Sequence, residues 1–303
     1  MVRANVDDVH PDLRRTARFA PRRLVGPRTL PVIRALITLT SRGTPSDVEV
    51  ITLDSGAGVR LYRGVGVTEP TPALLWIHGG GYVLGKAAQD DRLCRQFTRT
   101  LGITVASVEY RLAPEHPYPA PLEDCYSALC WLATLPAVDP DRIAIGGASA
   151  GGGLAAALAL LARDRGEIAP AFQLLSYPML DDRSSGRSAG RTDRRYRLWD
   201  ARANRFSWAA YLGDADPRVA VPGRREDLRG LAPAWIGVGT HDLFHDEDLD
   251  YARRLEDAGV PCQVDLVSGA FHGFDLVAPK APVSQRFFTT QCDVLRAAVT
   301  AAG

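Results

Sequence analysis

Ser149 lies between glycines in Gly147-Ala148-Ser149-Ala150-Gly151, after the short apolar run Arg142-Ile143-Ala144-Ile145 and before an alanine- and leucine-rich stretch from Leu154 to Ala162. This layout predicts strand, sharp turn, helix. The pattern G-x-S-x-G is that of a nucleophile elbow, a strained turn that holds a serine hydroxyl clear of the backbone. A side chain at either flanking position would collide where strand and helix converge, so the glycines have a steric job. A tight packing turn at a helix start carries the same five residues, so the chemistry needs support elsewhere. A serine hydroxyl is a poor nucleophile near neutral pH and needs a histidine within hydrogen-bond reach, oriented by a carboxylate.

In open α/β sheets the ligand crevice lies outside the carboxyl ends of the strands, and three further segments follow predicted strands there. His78-Gly79-Gly80-Gly81-Tyr82 follows Leu74-Leu75-Trp76-Ile77. Consecutive glycines leave backbone N–H groups unobstructed, which suits a developing oxyanion; Gly79 and Gly80 would supply two donors and Ala150 a third. A phosphate loop is the rival reading, but neither G-K-[ST] nor a G-x-G-x-x-G opening a helix is present. His78 precedes the serine on the same strand end as the glycines and reads as a loop-shaping residue rather than a base. His241-Asp242-Leu243-Phe244-His245-Asp246-Glu247-Asp248 follows Trp235 to Thr240. A metal site built from His241, Asp242, His245 and Asp246 is the alternative here, although Asp246 to Asp250 already serve as acidic residues for a helix N-terminus. Asp242 sits at the strand end and is the candidate orienting acid. The last segment, Gly269-Ala270-Phe271-His272-Gly273-Phe274-Asp275, holds the only one of the six histidines that follows this acid in a suitable loop. His272 is therefore the candidate base, and the chain order is Ser, Asp, His.

The elements that must position these residues follow from apolar periodicity. Val48, Val50 and Thr52 alternate with polar neighbours and are followed, after Ser55-Gly56-Ala57-Gly58, by Val59, Leu61, Arg63 and Val65, which reads as an antiparallel hairpin. Continuous apolar runs at Ala73–Ile77, Ile103–Val108, Ile143–Ile145, Phe172–Leu175 and Trp235–Val238 have the character of strands buried on both faces. Helical patterns at Asp90–Leu101, Leu122–Leu135, Gly153–Arg165 and Asp246–Ala258 separate most of them, and a strand at Gln263–Val267 and a helix at Val283–Ala298 close the chain. The fold class is α/β: a mainly parallel central sheet with helices on both faces.

Two segments break the rhythm. Residues 1–45 carry nine arginines against three aspartates and are cut by Pro21, Pro27 and Pro31. They read as short helices over the main domain; a partly ordered arm or a transit peptide has the same composition. Asp181 to Arg197 reads as an exposed loop, followed by Tyr196, Trp199, Phe206, Trp208 and Tyr211 near helical spacing. The expected division is N-terminal cap helices at 1–45 and a catalytic domain at 46–303 with a cap insertion at about 181–225. A surface insertion without a role is the other reading of that last stretch.

The 303 residues suffice for one large α/β domain, and the formal net charge of +1 gives no electrostatic case for nucleic acid. Five cysteines without a C-x-x-C pair suggest neither a disulfide framework nor a zinc site. No apolar run reaches the roughly 18 residues of a membrane span, and no apolar signal core is seen near the N-terminus. The expectation is a cytoplasmic protein without cofactor or metal, without stable membrane insertion, with a homodimer left open.

Together, His78 to Gly81, Tyr110-Arg111-Leu112-Ala113-Pro114-Glu115-His116-Pro117-Tyr118-Pro119-Ala120, the serine elbow, Asp242 with Asp246-Glu247, and Gly269 to Phe274 resemble the bacterial hormone-sensitive-lipase-like family of α/β-hydrolase esterases. The similarity runs from about Val48 to the C-terminus. It implies the α/β-hydrolase fold, an N-terminal helical cap, and hydrolysis of carboxylic esters of short or medium acyl chains through a Ser149–His272–Asp242 triad and an acyl-enzyme. Two positions depart from the family pattern: Ala148 stands where Asp or Thr is frequent, and Leu243 where proline is frequent. An amidase or acyltransferase would use the same residues, and a non-catalytic small-molecule receptor the same scaffold.

Overall fold

The computed structural model describes residues 8–21, 25–40, 43, 45–64, 70–184 and 196–300. Parts of the expected cap (1–7, 22–24, 41–42 and 44), Val65 of the expected hairpin and residues 185–195 of the expected insertion lie outside the described residues.

Eight strands form one sheet: β1 (Glu49–Thr52), β2 (Gly58–Tyr62), β3 (Thr71–Ile77), β4 (Thr104–Glu109), β5 (Val138–Ala148), β6 (Phe172–Ser176), β7 (Ala234–Gly239) and β8 (Cys262–Val267), in the spatial order β1-β2-β4-β3-β5-β6-β7-β8. β1 and β2 pair antiparallel as the period-two alternation predicts, β2 joins β4 antiparallel, and every later pairing is parallel. The apolar runs are continuous because alternate residues serve two cores. On β3, Ala73, Leu75 and Ile77 enter one core with helices Ala120–Ala133, Ala150–Arg165 and His245–Asp257, while Leu74 and Trp76 enter the other with Asp91–Leu101 and Pro282–Thr300. Each fully buried side chain of this size contributes roughly 1.5–3 kcal/mol.

The parallel register levels the carboxyl ends of the strands: Ile77 lies opposite Gly147, Ala148 opposite Ser176, and Ser176 opposite Gly237. The loops after β3, β5, β6 and β7 therefore open at one height, as the crevice rule requires.

The N-terminal segment divides its contacts. Val9, Leu13 and Ala17 are buried in the core beside helix Pro282–Thr300, where Asp12 accepts a hydrogen bond from the Val283 N–H at 3.0 Å. Helix Leu30–Thr40 is anchored by Arg34, which donates to the carbonyls of Val83 and Ala113 and pairs with Glu115. The expected insertion reaches back to it, Leu198 N–H to the Pro21 carbonyl and Arg197 to the Ala17 carbonyl. Asp181, Ser184 and Arg197 are buried, so the described ends of the segment expected as an exposed loop are packed; their polar groups are satisfied locally, for example Asp181 by Arg183. Helix Ala201–Leu212 carries part of the aromatic spacing, with Tyr211 stacked on Tyr82 and Trp208 tilted against it. No helix among the described residues is long and apolar enough to cross a membrane.

Candidate active site

Ser149 sits between β5 and helix Ala150–Arg165 at φ 58° and ψ −120°, a conformation that costs a non-glycine residue of order 1–3 kcal/mol. Its backbone is held from both sides. The Ser149 N–H donates to the Ser176 carbonyl at 2.9 Å, and the Ser149 carbonyl accepts from Gly153 and Met179. The flanking glycines are required by contact: a Cβ on Gly147 would lie 2.5 Å from the Ile77 carbonyl oxygen, and one on Gly151 would fall onto the same carbonyl.

His272 Nε2 lies 2.9 Å from Ser149 Oγ, and its Nδ1 lies 2.8 Å from Asp242 Oδ2. The other Asp242 oxygen accepts the Phe244 N–H at 3.0 Å. The loops bearing the pair are tied together, His241 N–H to the Ala270 carbonyl and Gly269 N–H to Thr240 Oγ1. Phe244 and Tyr177 meet the imidazole edge-on at 5.1 and 5.0 Å between ring centres. The three side chains separated widely in sequence thus converge, and all three are buried.

The glycine loop approaches the serine closely, since a Cβ on Gly79 would lie 3.3 Å from Ser149 Cβ. Among the described residues, the N–H groups of Gly79, Gly80 and Ala150 have no hydrogen-bond acceptor. His78 fixes the direction of the Gly80 group. Its Nδ1 lies 2.8 Å from the Gly79 carbonyl oxygen, and its ring stacks on Tyr110 at 4.2 Å. In a trans peptide the C=O and the next N–H point opposite ways, so anchoring the Gly79 carbonyl turns the Gly80 N–H to the other side. Burial pushes His78 down to about 4, which keeps the ring neutral with Nδ1–H as donor.

Of the residues weighed as metal ligands, Asp242, His245 and Asp246 are otherwise engaged. Asp242 bonds His272, and His245 bonds Asp246 at the exposed start of helix His245–Asp257. Among the described residues no three His, Cys, Asp or Glu side chains are grouped to hold a metal ion.

A cavity of about 680 Å³ opens onto Ser149 and His272 and is lined also by Val25, Ile33, Leu198, Trp199 and residues of helix Pro282–Thr300. Ala148 contributes to its lining. Ser176 and Tyr177, which also line it, went unnoticed in the sequence although the strand-end rule would have found them, because β6 stops at Ser176. Asp90 and Asp275 also line it; in sequence they look like ordinary acids beside helix starts.

A sheet of this topology with a serine elbow after β5, an acid after β7 and a histidine after β8 defines an α/β hydrolase, and the chain belongs to the alpha/beta hydrolase fold family, whose sequence profile matches residues 74–276. Its relatives are named esterases. It is 40% identical over 211 residues to Esterase LipI of Mycobacterium tuberculosis, covering 67% of this chain and 65% of LipI. It is 39% identical over 244 residues to Carboxylic ester hydrolase LipN of the same species, covering 75% of this chain and 64% of LipN. The matches therefore span just under two thirds of the length of either relative. Among solved structures, a bacterial heroin esterase superposes with a TM-score of 0.86 at 36% identity, covering 97% of this chain and 99% of that one. The resemblance to the hormone-sensitive-lipase-like esterases is borne out at the level of the family.

Proposed function

We propose that the protein is a serine esterase that hydrolyses carboxylic esters of short to medium acyl chains. The observation that carries this reading is the Ser149–His272–Asp242 array, with contacts of 2.9 and 2.8 Å at a strained strand-to-helix turn. An ionised carboxylate only accepts hydrogen bonds, so Asp242 places the proton on Nδ1 and leaves the Nε2 lone pair for the serine hydroxyl. Ser149 Oγ attacks the ester carbonyl as His272 takes its proton. The N–H groups of Gly79, Gly80 and Ala150 receive the oxyanion; the last also lies at the positive end of a helix. His272 returns the proton to the departing alcohol, and water then hydrolyses the acyl-enzyme by the reverse path.

The cap is part of the proposal: residues 1–45 contribute Val25 and Ile33, and the insertion at about 181–225 contributes Leu198 and Trp199, to the lining of the cavity. A volume of about 680 Å³ accommodates a medium acyl chain and its alcohol together. A cytoplasmic setting fits the five unpaired cysteines. The relatives' names favour esters over amides.

The test is a panel of p-nitrophenyl acetate, butyrate and octanoate, with matched anilides beside them and with EDTA present and absent. Wild type should cleave the shorter esters, anilides much more slowly, with EDTA without effect, and Ser149→Ala should be inactive. Undiminished turnover by Ser149→Ala would overturn the assignment.

A further inference from the structure

Buried Asp124 and Asp181 are each faced by an arginine, Arg111 and Arg183, whereas among the described residues no arginine pairs with Asp90 or Asp275, which line the catalytic cavity. Asp90 is 6% exposed, and its Oδ2 accepts the Trp76 indole N–H at 2.8 Å. Asp275 Oδ1 accepts the Tyr177 hydroxyl at 2.7 Å. Asp90 thus spends one oxygen on a neutral donor and keeps the other, while Asp275 also draws on the backbone N–H groups of its own residue and Leu276. Among the described residues neither forms an ion pair, although Arg92 lines the same cavity.

A second feature of the same cavity is independent of charge. Ser176 Oγ, Ser284 Oγ and Gln291 Oε1 are buried and have no hydrogen-bond partner among the described residues, and all three residues line this cavity. Buried polar atoms are ordinarily paired, so a cavity lining with three unpaired ones and two carboxyls without an ion-pair partner among the described residues has unmet hydrogen-bonding capacity. Burial pushes Asp90 up to about 7, with Asp275 adding to it, and burial also raises Asp275. An ammonium ion has only donors to offer and carries the charge that both carboxyls lack.

Resting on Ser149 as the nucleophile, we propose that this end of the cavity is a cation subsite in which Asp90 and Asp275 bind the protonated amine of an ester substrate. The substrate class is then esters carrying a basic amine a few atoms from the scissile carbonyl. The short span follows from Tyr177, which touches Asp275 through its hydroxyl and packs edge-on against His272 at 5.0 Å. One side chain separates the carboxyl from the catalytic imidazole.

The experiment compares kcat/KM at pH 7 for 2-(dimethylamino)ethyl acetate and its neutral isostere 3-methylbutyl acetate, with linkers lengthened by one and two methylenes in both series. The amine ester should be preferred by about tenfold or more at one linker length. Asp90→Asn and Asp275→Asn, which keep acceptors for Trp76 and Tyr177, should each cut that preference at least threefold, and Asp275→Glu should retain part of it. Preference for the neutral ester at every length, or a ratio unmoved by both asparagine variants, overturns the subsite. So does an Asp275→Asn variant that lowers kcat equally on both esters, because the carboxyl would then act on His272 and not on the ligand. Calorimetric binding of the amine and neutral esters to Ser149→Ala reads the same preference without turnover, so loss of the esterase reading and loss of the subsite give different results.

Discussion

Replacing His78 with alanine removes the 2.8 Å contact that anchors the Gly79 carbonyl and the stack on Tyr110. Two separate losses follow. A hydrogen bond of this kind contributes about 0.5–1.5 kcal/mol net, enough to hold the Gly79–Gly80 peptide in one orientation by roughly 2- to 12-fold. Loss of that bias alone should lower kcat by up to the same factor, roughly 2- to 12-fold. A complete turn of the peptide withdraws the Gly80 N–H, and one oxyanion donor is worth about 10²–10³ in kcat. KM should change little, since the donor acts on charge that develops in the transition state. Deleting a buried ring of this size should also cost about 2–5 kcal/mol of stability. His78→Asn, which offers an amide N–H near the place of Nδ1, should recover much of kcat but little of the packing. The assay is kcat and KM for p-nitrophenyl butyrate on folded protein, with Tm in parallel. A folded His78→Ala variant with kcat within twofold of wild type would refute the reasoning.

His78 also carries a pH prediction. Its folded value is pushed down to about 4 from an ordinary 6.5, so the unfolded chain binds the proton first. Its contribution to stability is complete above pH 6.5 and is lost as pH falls toward 4, by on the order of 3 kcal/mol; His78→Asn should flatten the acid side of a Tm–pH curve accordingly. Glu247 has the opposite sign. Burial pushes it up to about 8 from 4.5 although Oε1 accepts the N–H groups of Leu180 and Asp181. Its contribution is complete below about 4.5 and is lost as pH rises through 8, so Glu247→Gln should melt higher than wild type at pH 9 with little or no gain at pH 5. An equal Tm difference at both pH values would contradict this. Asp242→Asn keeps the shape of the site but permits the wrong imidazole tautomer; kcat on p-nitrophenyl butyrate should fall by about 10⁴, and a fall below tenfold would remove Asp242 from its role.

The fold was legible because strands buried on both faces leave continuous apolar runs, and the runs at Ala73–Ile77 and Ile143–Ile145 became β3 and part of β5. β5 begins earlier than its apolar run, at Val138, because the polar stretch Asp139 to Arg142 pairs only at its edges and leaves no periodic mark. Ser149, Asp242 and His272 were legible through position, each just past a strand end and in the chain order of the family. The cavity wall was not. Ser284 and Gln291 lie seven residues apart on one face of a helix that reads as ordinary packing, and nothing in their spacing distinguishes a cavity from a core. Asp90 and Asp275 were hidden for a related reason: acids near helix starts are common, and nothing in their sequence setting shows that they line a cavity.

The role of Ser149 is tested most directly by covalent trapping. Treatment with diethyl p-nitrophenyl phosphate should release one equivalent of p-nitrophenol per chain, abolish ester hydrolysis, and leave a single diethylphosphoryl group that peptide mass spectrometry places on Ser149, with no label in Ser149→Ala. A label on another residue, or full hydrolysis by the labelled protein, would contradict it.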